Sequence, residues 1–359
     1  MTISSFWSPC VVELEPYVPG EQPSIANLIK LNTNENPYPP SPKAIEAIQR
    51  AATERLELYP DPTSFALREA IAQRHGLTID QVFVGNGSDE VLGHSFFAFF
   101  QHVEPLLLSD VTYGFYKVYA QLYGINVEVQ LVDARLCVDI DALTVRAAQG
   151  CGGIVVANPN APTGIGLPLS ELERLLAACS NRVVLVDEAY VDFGGVSALP
   201  LIERYPNLLV TQTFSKSRSL AGLRVGFACG QAHLIDALHR VKDSFNSYPL
   251  DRLASAGAIA ALEDEGHFEM TRHRVIDARE RLVQHLTTMG FQVLPSQANF
   301  VFVRHPQHDA AALAAALREH SILVRHFQKP RIAQWLRITI GTLPQCVSLV
   351  NALKLVLRV

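Results

Sequence analysis

The sequence predicts an α/β protein in which helices cover a mostly parallel sheet, with a smaller α+β domain near the carboxyl end. The chain has 359 residues, which is about the length of two domains. From residue 65 onward, short apolar runs alternate with longer stretches of helical spacing, a pattern typical of strands that are buried on both faces. After residue 250 the pattern changes to long helices and a few short strands, which indicates a second domain.

The predicted elements follow in order along the chain. In the first part, helical spacing predicts helices over Ser64–Arg74 and Asp89–Phe100. The strands predicted there are Val82–Val84, Pro105–Leu108, Val127–Val132, Gly153–Ala157, Val183–Val186, Leu208–Gln212 and Val225–Ala228. The second part predicts helices over Leu250–Leu262, Glu263–Met289 and Asp309–His320, strands over Ala298–Val303, Ile322–His326 and Trp335–Ile340, and a last helix. The first 30 residues are proline-rich and irregular, and either domain could bind them.

Composition and charge exclude several classes of protein. Hydrophobic residues make up 48% and charged residues 18%, which is typical of a globular chain. The net charge of −5 argues against nucleic acid or an anionic membrane as the main partner. Apolar stretches fall far short of the roughly 18 residues that a membrane helix needs, and the N-terminus does not resemble a signal peptide.

The cysteines and histidines give no pattern of a disulfide framework or a metal site. The six cysteines form no CxxC pair, so we interpret them as reduced core residues and expect a cytoplasmic protein. The twelve histidines lack the spacing of zinc-binding sequences, so we expect no metal.

The run Gly-Asn-Gly-Ser-Asp-Glu at residues 85–90 joins a predicted strand to a predicted helix. Small residues at such a point let backbone N–H groups face an anion, and the helix N-terminus adds partial positive charge. The run lacks both the third glycine of a dinucleotide fingerprint and the Lys-Ser or Lys-Thr of a P-loop. It indicates either an anion-binding turn or an ordinary strand-to-helix turn with Ser88 or Asp89 as its cap.

Polar residues also follow three later strands. Asn158 begins a rigid loop with two prolines and a glycine, at the end of a strand where α/β sheets hold ligands. Asp187 ends a buried strand, where a carboxylate is costly unless a cation or a protonated ring pairs with it. Lys216 lies in a tight turn with Arg224 shortly after it. Each feature alone has an ordinary explanation, but together they supply the amine, the carboxylate, the ring-oxygen donor and the anion site that pyridoxal phosphate needs.

At these residues the chain resembles the fold-type I pyridoxal-phosphate-dependent aminotransferases, and among them the histidinol-phosphate aminotransferases. The resemblance extends over residues 31–38, 59–61, 85–90, 158–164, 186–190, 215–216, 220–226, 323–327 and 336–342. The Ser-Lys…Ala-Gly-Leu-Arg-Val-Gly element is specific for the fold, and Val-Arg-His-Phe with Leu-Arg-Ile-Thr-Ile-Gly indicates the subfamily. Val111 and Ala161 replace the usual proline and asparagine, and neither change removes a side chain with an expected role.

The resemblance implies three regions of the chain. A large three-layer α/β/α domain that binds pyridoxal phosphate would cover residues 35–250. A small domain would cover residues 251–359, and the N-terminal segment 1–34 would pack with it.

The resemblance also implies the residues of the site. Lys216 would form the imine with the cofactor and shuttle a proton, while Asp187 would keep the ring nitrogen protonated. Asn158 and Tyr190 would bind the ring oxygen, and Tyr113 would stack on the ring. The expected phosphate contacts are Ser88, Asp89, Thr213, Ser215, Arg224 and, from the neighbouring subunit of a homodimer, Tyr59. The expected substrate-binding residues are Arg325, Arg337, Tyr17, Asn86 and Tyr248.

The implied reaction is a transamination in histidine biosynthesis. Histidinol phosphate and 2-oxoglutarate would give imidazole acetol phosphate and glutamate by a ping-pong mechanism. Arginine suits both anions because its planar fork binds phosphate and carboxylate alike. An aromatic amino acid aminotransferase or a phosphothreonine-type decarboxylase would share the cofactor residues, and a non-catalytic sensor would share the fold.

Overall fold

The structure, a computed structural model, describes residues 5–24, 27–53 and 55–358. Its strands are β1 (Ile29–Leu31), β2 (Val82–Asn86), β3 (Leu106–Ser109), β4 (Val127–Gln130), β5 (Gly153–Ala157), β6 (Val184–Asp187), β7 (Leu208–Thr213), β8 (Val225–Gly230), β9 (Gln292–Val293), β10 (Phe300–Arg304), β11 (Ile322–His326) and β12 (Leu336–Thr339). Its helices are α1 (Pro9–Glu13), α2 (Pro42–Ala51), α3 (Phe65–His75), α4 (Gly87–Phe99), α5 (Phe115–Leu122), α6 (Ile140–Ala148), α7 (Leu169–Ala178), α8 (Ala232–Phe245), α9 (Arg252–Glu263), α10 (Glu265–Thr288), α11 (Ala310–Glu319) and α12 (Leu343–Leu357). Short 3₁₀ helices cover Ile79–Gln81, Val191–Phe193, Leu199–Leu201 and Ala221–Leu223.

The large sheet has seven strands in the order β2-β8-β7-β6-β5-β3-β4. Strands β3 to β7 pair in parallel, and β8 runs antiparallel between β7 and β2. Every residue of β5, β6 and β7 is buried, which explains why the sequence shows β5 as an unbroken apolar run and why β6 and β7 begin with one. The prediction of a mostly parallel sheet is therefore confirmed.

Helices cover both faces of this sheet. Successive strand residues point to opposite faces, so Ile154 and Val156 belong to one apolar cluster and Val155 and Ala157 to the other. The result is a three-layer arrangement of helices, sheet and helices. The predicted helices and strands are all present, with ends that differ by up to two residues from the predicted ones.

The small sheet joins the two ends of the chain. Its order is β1-β11-β12-β10-β9, and β1 pairs in parallel with β11, so the N-terminal segment lies beside C-terminal strands. Helices α10, α11 and α12 pack on this sheet, whereas Ala254 and Ala258 of α9 belong to a core cluster of the large sheet. The division at residues 1–34, 35–250 and 251–359 stays a prediction.

The site is positioned by the parallel strands. Strands β5, β6 and β7 run in the same direction, so their carboxyl ends lie at one edge of the sheet. This edge carries Asn158 after β5, Asp187 at the end of β6 and the turn with Lys216 after β7. No described helix is long and apolar enough to cross a membrane.

Candidate active site

A cradle for an anion forms where the start of α4 meets β8. Gly226 of β8 lies so close to α4 that a Cβ there would be 2.2 Å from the backbone nitrogen of Ser88. Gly87 has a φ of +84°, and a Cβ on it would be 2.4 Å from Nη2 of Arg224. These glycines let backbone N–H groups and a guanidinium converge on one point, which is the arrangement that binds phosphate.

Hydroxyl groups complete the cradle from the end of β7. Thr213 donates to Oγ of Ser215 over 3.0 Å, and Nη1 of Arg224 donates to the same oxygen over 3.4 Å. Nη2 of Arg224 also donates to Oδ2 of Asp89 at 2.8 Å, which holds the guanidinium in place. One cavity of about 320 Å³ is lined by all five residues of the cradle, Ser88, Asp89, Thr213, Ser215 and Arg224.

Asp187 is a carboxylate without a cationic partner in the described part of the chain. It is buried at the end of β6, where Oδ2 accepts a 2.7 Å hydrogen bond from the hydroxyl of Tyr116. Burial raises the pKa of Asp187 to about 6, although the hydrogen bonds from Tyr116 and from the backbone of Ala189 act in the opposite direction. A protonated ring nitrogen in the cavity would supply the positive charge that this carboxylate lacks.

Asn158 has an unsatisfied donor. Its Oδ1 accepts from the backbone N–H of Leu167 at 2.7 Å, whereas its Nδ2 is buried with no hydrogen-bond partner among the described residues. Its neighbours Ala157 and Pro159 line the cavity. Buried donors are rarely left without a partner, so this amide indicates a ligand with an acceptor oxygen.

Lys216 and Tyr190 lie on the same cavity wall. Nζ of Lys216 is 5.8 Å from the centre of the Tyr190 ring, and it donates to the backbone oxygen of Thr33 over 3.4 Å. The Tyr190 ring packs edge-on against Phe300, and its hydroxyl accepts a 3.0 Å hydrogen bond from Nδ2 of Asn34. An amine and a phenol therefore face one ligand space.

Tyr113 and Tyr17 form an aromatic wall. Their ring centres are 6.1 Å apart, and Tyr17 also packs on Phe115 at 4.8 Å. The hydroxyl of Tyr113 donates to Oδ1 of Asp89 over 3.4 Å, and burial raises the pKa of Tyr113 well above its usual range. The face of a neutral aromatic ring is thus available for a flat ligand.

Two arginines lie side by side where the small sheet meets the cavity. Arg325 of β11 is the direct cross-strand partner of Arg337 of β12, and both line the cavity. No carboxylate lies within salt-bridge distance of either residue in the described part of the chain. Like charges on directly opposite residues are destabilising, so the pair is suited to an anionic ligand.

Arg337 has one further unsatisfied group. Its Nη2 donates to the backbone oxygen of Asn32 at 2.9 Å, but its Nε is buried without a partner among the described residues. A second cavity of about 330 Å³ adjoins the first, and Tyr17, Tyr113, Arg325 and Arg337 line both. The arginines therefore face a space large enough for a substrate beside a cofactor.

Of the predicted site residues, Tyr59, Tyr248 and Asn86 lie outside the cavity of this chain, and Asn158 borders it between two lining residues. Tyr59 is 79% exposed and stacks on Tyr248 with ring centres 4.7 Å apart, and neither lines the cavity. Asn86 precedes α4 with an exposed side chain. The roles expected for these residues, and for the predicted residues that line the cavity, stay predictions.

Two residues without a predicted role, Tyr116 and Asn34, hold Asp187 and Tyr190 by hydrogen bonds. In the sequence, Asn34 stands out only because it belongs to residues 31–38, one of the segments that carry the resemblance. Tyr116 follows Tyr113 at helical spacing, which was the one available signal.

The residues fit pyridoxal phosphate. The cradle has donors for a phosphate, Asp187 can pair with a ring nitrogen, Asn158 has an unused donor and Lys216 supplies an amine. Among the described residues, no cluster of three or more His, Cys, Asp or Glu side chains could hold a metal ion.

The comparisons with known proteins agree with this site. The family "Aminotransferase class I and II" matches residues 26–353. Histidinol-phosphate aminotransferase of Aromatoleum aromaticum is 58% identical over 356 residues, which cover 99% of this chain and 100% of the relative. Histidinol-phosphate aminotransferase 2 of Rhizobium meliloti is 59% identical over 99% of this chain and 100% of the relative.

The chain belongs to the histidinol-phosphate aminotransferases. It is therefore a pyridoxal-phosphate-dependent transaminase, and the alternatives of a decarboxylase, an aromatic aminotransferase or a sensor are not favoured. A histidinol-phosphate aminotransferase from Sinorhizobium meliloti, solved in complex with pyridoxal-5'-phosphate, superposes with a TM-score of 0.89 over 99% of both chains at 25% identity. The expectation of a fold-type I architecture with this cofactor is confirmed.

Proposed function

We propose that this transaminase moves the amino group of histidinol phosphate to 2-oxoglutarate, using the residues described above as its active site. The single observation that carries the choice of substrate is the pair Arg325 and Arg337, which share a cavity wall without a carboxylate partner in the described chain. A phosphate at one end of the amino donor would satisfy both guanidinium groups. The relatives' names, at 58–59% identity over nearly the whole chain, support the same substrate.

The cofactor is held at three points in this proposal. The backbone of Ser88 and Asp89, with Thr213, Ser215 and Arg224, binds the phosphate. Asp187 binds the ring nitrogen and Asn158 the ring oxygen. When bound, pyridoxal phosphate supplies an electron-withdrawing ring that stabilises negative charge on the donor's α-carbon. The buried carboxylate of Asp187 keeps a proton on the ring nitrogen, which sustains that withdrawal.

Lys216 moves the proton in each half-reaction. With the amino donor, its Nζ would take the proton from the donor's α-carbon and deliver it to the cofactor carbon on the other side of the shared nitrogen. With the amino acceptor, it would carry the proton in the opposite direction. A positioned general base typically contributes about 10²–10⁴-fold to the rate of such a step. The 3.4 Å contact with the backbone oxygen of Thr33 and the turn after β7 restrict where this amine can lie.

The same two arginines serve both substrates in turn. Histidinol phosphate presents a phosphate and glutamate a carboxylate, and a planar guanidinium binds either with two parallel hydrogen bonds. Burial lowers the pKa of Arg337, yet arginine stays protonated at any physiological pH, so the anion site keeps its charge.

The proposal includes a homodimer in which Tyr59 reaches the cofactor phosphate of the neighbouring subunit. Tyr59 lies 79% exposed on Tyr248, and Phe245 nearby in the chain is 78% exposed. Large exposed aromatic side chains of this kind often mark a protein interface. It also includes a cytoplasmic location, which the free thiols of all six cysteines support.

A half-reaction assay tests the substrate. Purified enzyme loaded with pyridoxal phosphate is mixed with histidinol phosphate or with phenylalanine, and conversion of the bound cofactor to its amine form is followed by absorbance. We expect histidinol phosphate to react faster by orders of magnitude. A faster reaction with phenylalanine would refute the proposed substrate, and full activity of Lys216→Ala would refute the proposed site.

A subunit-mixing experiment tests the dimer. Lys216→Ala and Tyr59→Ala chains with different affinity tags are co-expressed, and the hybrid dimer is purified. If Tyr59 acts across the interface, one of the two sites in the hybrid is wild-type and the hybrid regains about half of the wild-type activity. Each parent variant alone is the control, and a hybrid no more active than the parents would refute the action of Tyr59 across the interface.

A further inference from the structure

Two thiols touch at the end of the large sheet remote from the catalytic lysine. Sγ of Cys151 is 3.4 Å from Sγ of Cys179, although 28 positions separate them in sequence. Cys151 directly precedes Gly152 and β5, whereas Asn158 follows the other end of that strand, and Cys179 caps the end of α7. A disulfide bond is about 2.05 Å long, so the sulfurs need to approach by little more than 1 Å.

The surroundings of the pair favour a thiolate on Cys151. The contact from Cys179 lowers the pKa of Cys151, and the N–H of Gly153 and the charges of Arg146 and Arg182 act in the same direction against burial. The same contact, together with burial, raises the pKa of Cys179 well above its usual range. The N–H of Gly153 and the two arginine charges thus favour Cys151 as the nucleophile of the pair, with Cys179 as its partner.

Burial decides which oxidant can reach the pair. Cys151 is 4% exposed and Cys179 is 1% exposed, so a bulky disulfide reagent should be hindered far more than a molecule as small as hydrogen peroxide. Cys229 is also buried in the large domain, in β8, and has no thiol contact among the described residues. It therefore offers a matched control.

We propose that Cys151 and Cys179 are a peroxide-dependent modification site that closes to a reversible disulfide. The Cys151 thiolate attacks one peroxide oxygen, an S–O bond forms as the O–O bond breaks, and hydroxide leaves. The sulfur of Cys179 then displaces the hydroxyl group from Cys151 as water, with its own proton, and the S–S bond forms. Two electrons pass from the two thiols to the peroxide, and a dithiol reductant reverses the change.

The bond would tie β5 to the end of α7 and leave the catalytic groups in place. A cross-link between positions 151 and 179 restricts the unfolded chain, so oxidation should stabilise the folded large domain. Transaminase turnover should be unchanged, because Lys216, Asp187 and Asn158 lie at or beyond the opposite ends of the strands.

Mass spectrometry of the loaded enzyme tests the site. The enzyme is treated with hydrogen peroxide, denatured in the presence of an alkylating reagent that blocks free thiols, and digested with trypsin. Residues 147–174 and 175–182 form separate tryptic peptides, each with one of the two cysteines, so the disulfide appears as a linked peptide pair. We expect this pair to form, to disappear with dithiothreitol, and to raise the thermal unfolding midpoint while it is present.

Three variants separate the proposal from general oxidation. Cys229→Ser should form the linked pair at the wild-type rate, whereas Cys151→Ser and Cys179→Ser should not form it or show the rise in midpoint. In Cys179→Ser, Cys151 should proceed to the sulfinic acid, because no second thiol traps it. The proposal is overturned if peroxide treatment of the folded enzyme leaves both thiols free, so that both are alkylated on denaturation. It is also overturned if the exposed Cys10 is oxidised and the pair is not.

Discussion

The side-chain amide of Asn34 donates a 3.0 Å hydrogen bond to the phenolic oxygen of Tyr190. Its orientation is fixed because Oδ1 of Asn34 accepts from the hydroxyl of Thr339 at 3.1 Å, which turns Nδ2 toward Tyr190. A phenolic oxygen that already accepts a hydrogen bond keeps its own proton to donate. Asn34 therefore directs the Tyr190 proton toward the cavity, where an acceptor oxygen of the cofactor would lie.

Replacing Asn34 by aspartate should reverse this hydrogen bond. The carboxylate would accept the Tyr190 proton, so the proton would no longer be available to the cofactor. For Asn34→Asp we expect the pH at which the visible absorption of the bound cofactor changes to rise, and kcat to fall about tenfold, the value of one net hydrogen bond of about 1.4 kcal/mol. Thr339→Ser keeps the hydroxyl and should titrate like the wild type. An unshifted titration of Asn34→Asp would contradict this role.

Asp187 should make the stability of the cofactor-free enzyme depend on pH. Burial raises its pKa from 3.8 to about 6, so within this window the folded chain binds a proton that the unfolded chain has lost. This stabilisation is complete below about pH 4 and is lost as the pH rises through about 6. The side chain of Asp187→Asn stays neutral at every pH. In urea unfolding, the free energy of unfolding of the variant relative to that of the wild type should therefore rise by up to about 3 kcal/mol between pH 4 and pH 7. A difference that stays constant over this range would be evidence against the shift.

Adding one methyl group at Gly226 should disrupt the phosphate cradle. The new Cβ would lie 2.2 Å from the backbone nitrogen of Ser88, whereas a Cβ on Gly222 would have no heavy atom within 4 Å. Overpacking of this kind costs about 1–3 kcal/mol, so Gly226→Ala should weaken cofactor binding about 10- to 100-fold. Fluorescence titration of the cofactor-free enzyme measures this. Gly222→Ala is the matched control, and equal affinities of the two variants would exclude a tight contact at Gly226.

Removing Arg325 should affect the two amino donors unequally. A phosphate offers more charge and more acceptor oxygens than a carboxylate, so it should use both guanidinium groups. For Arg325→Ala we expect kcat/KM to fall about 100-fold for histidinol phosphate and less for glutamate, since a charge-assisted hydrogen bond contributes about 1.5–3 kcal/mol. Arg318→Ala, which removes an exposed arginine paired with Glu21, should change neither value. Equal losses for both donors would mean that Arg325 does not select the phosphate.

Much of the fold, and the grouping of most predicted site residues around one cavity, were predictable because the signals are local. Strands β5 and β7 are buried on both faces, so β5 reads as an unbroken apolar run and β7 begins with one. Asn158, Asp187 and Lys216 directly follow or end such strands, and parallel strands bring their carboxyl ends to one edge. The order of these residues along the chain thus predicted that they share one site.

The rest depended on contacts that leave no periodic trace. Tyr116 contacts Asp187 across 71 positions of sequence, and Asn34 contacts Tyr190 across 156 positions. The identity of a single polar residue does not indicate which distant group it will contact. The two arginines are opposite each other only because of the register between β11 and β12, since a shift of one residue would turn Arg325 to the other face.

The sequence by itself determined the class of fold, the cofactor and the chemical type of the groups around it, because these follow from burial patterns and from residues at strand ends. Only the tertiary structure decided which donors are left without partners, which carboxylate is held by which hydroxyl, and that Cys151 and Cys179 touch. Those properties depend on how separate segments pack against one another, and packing is set by the whole chain rather than by any one stretch of it.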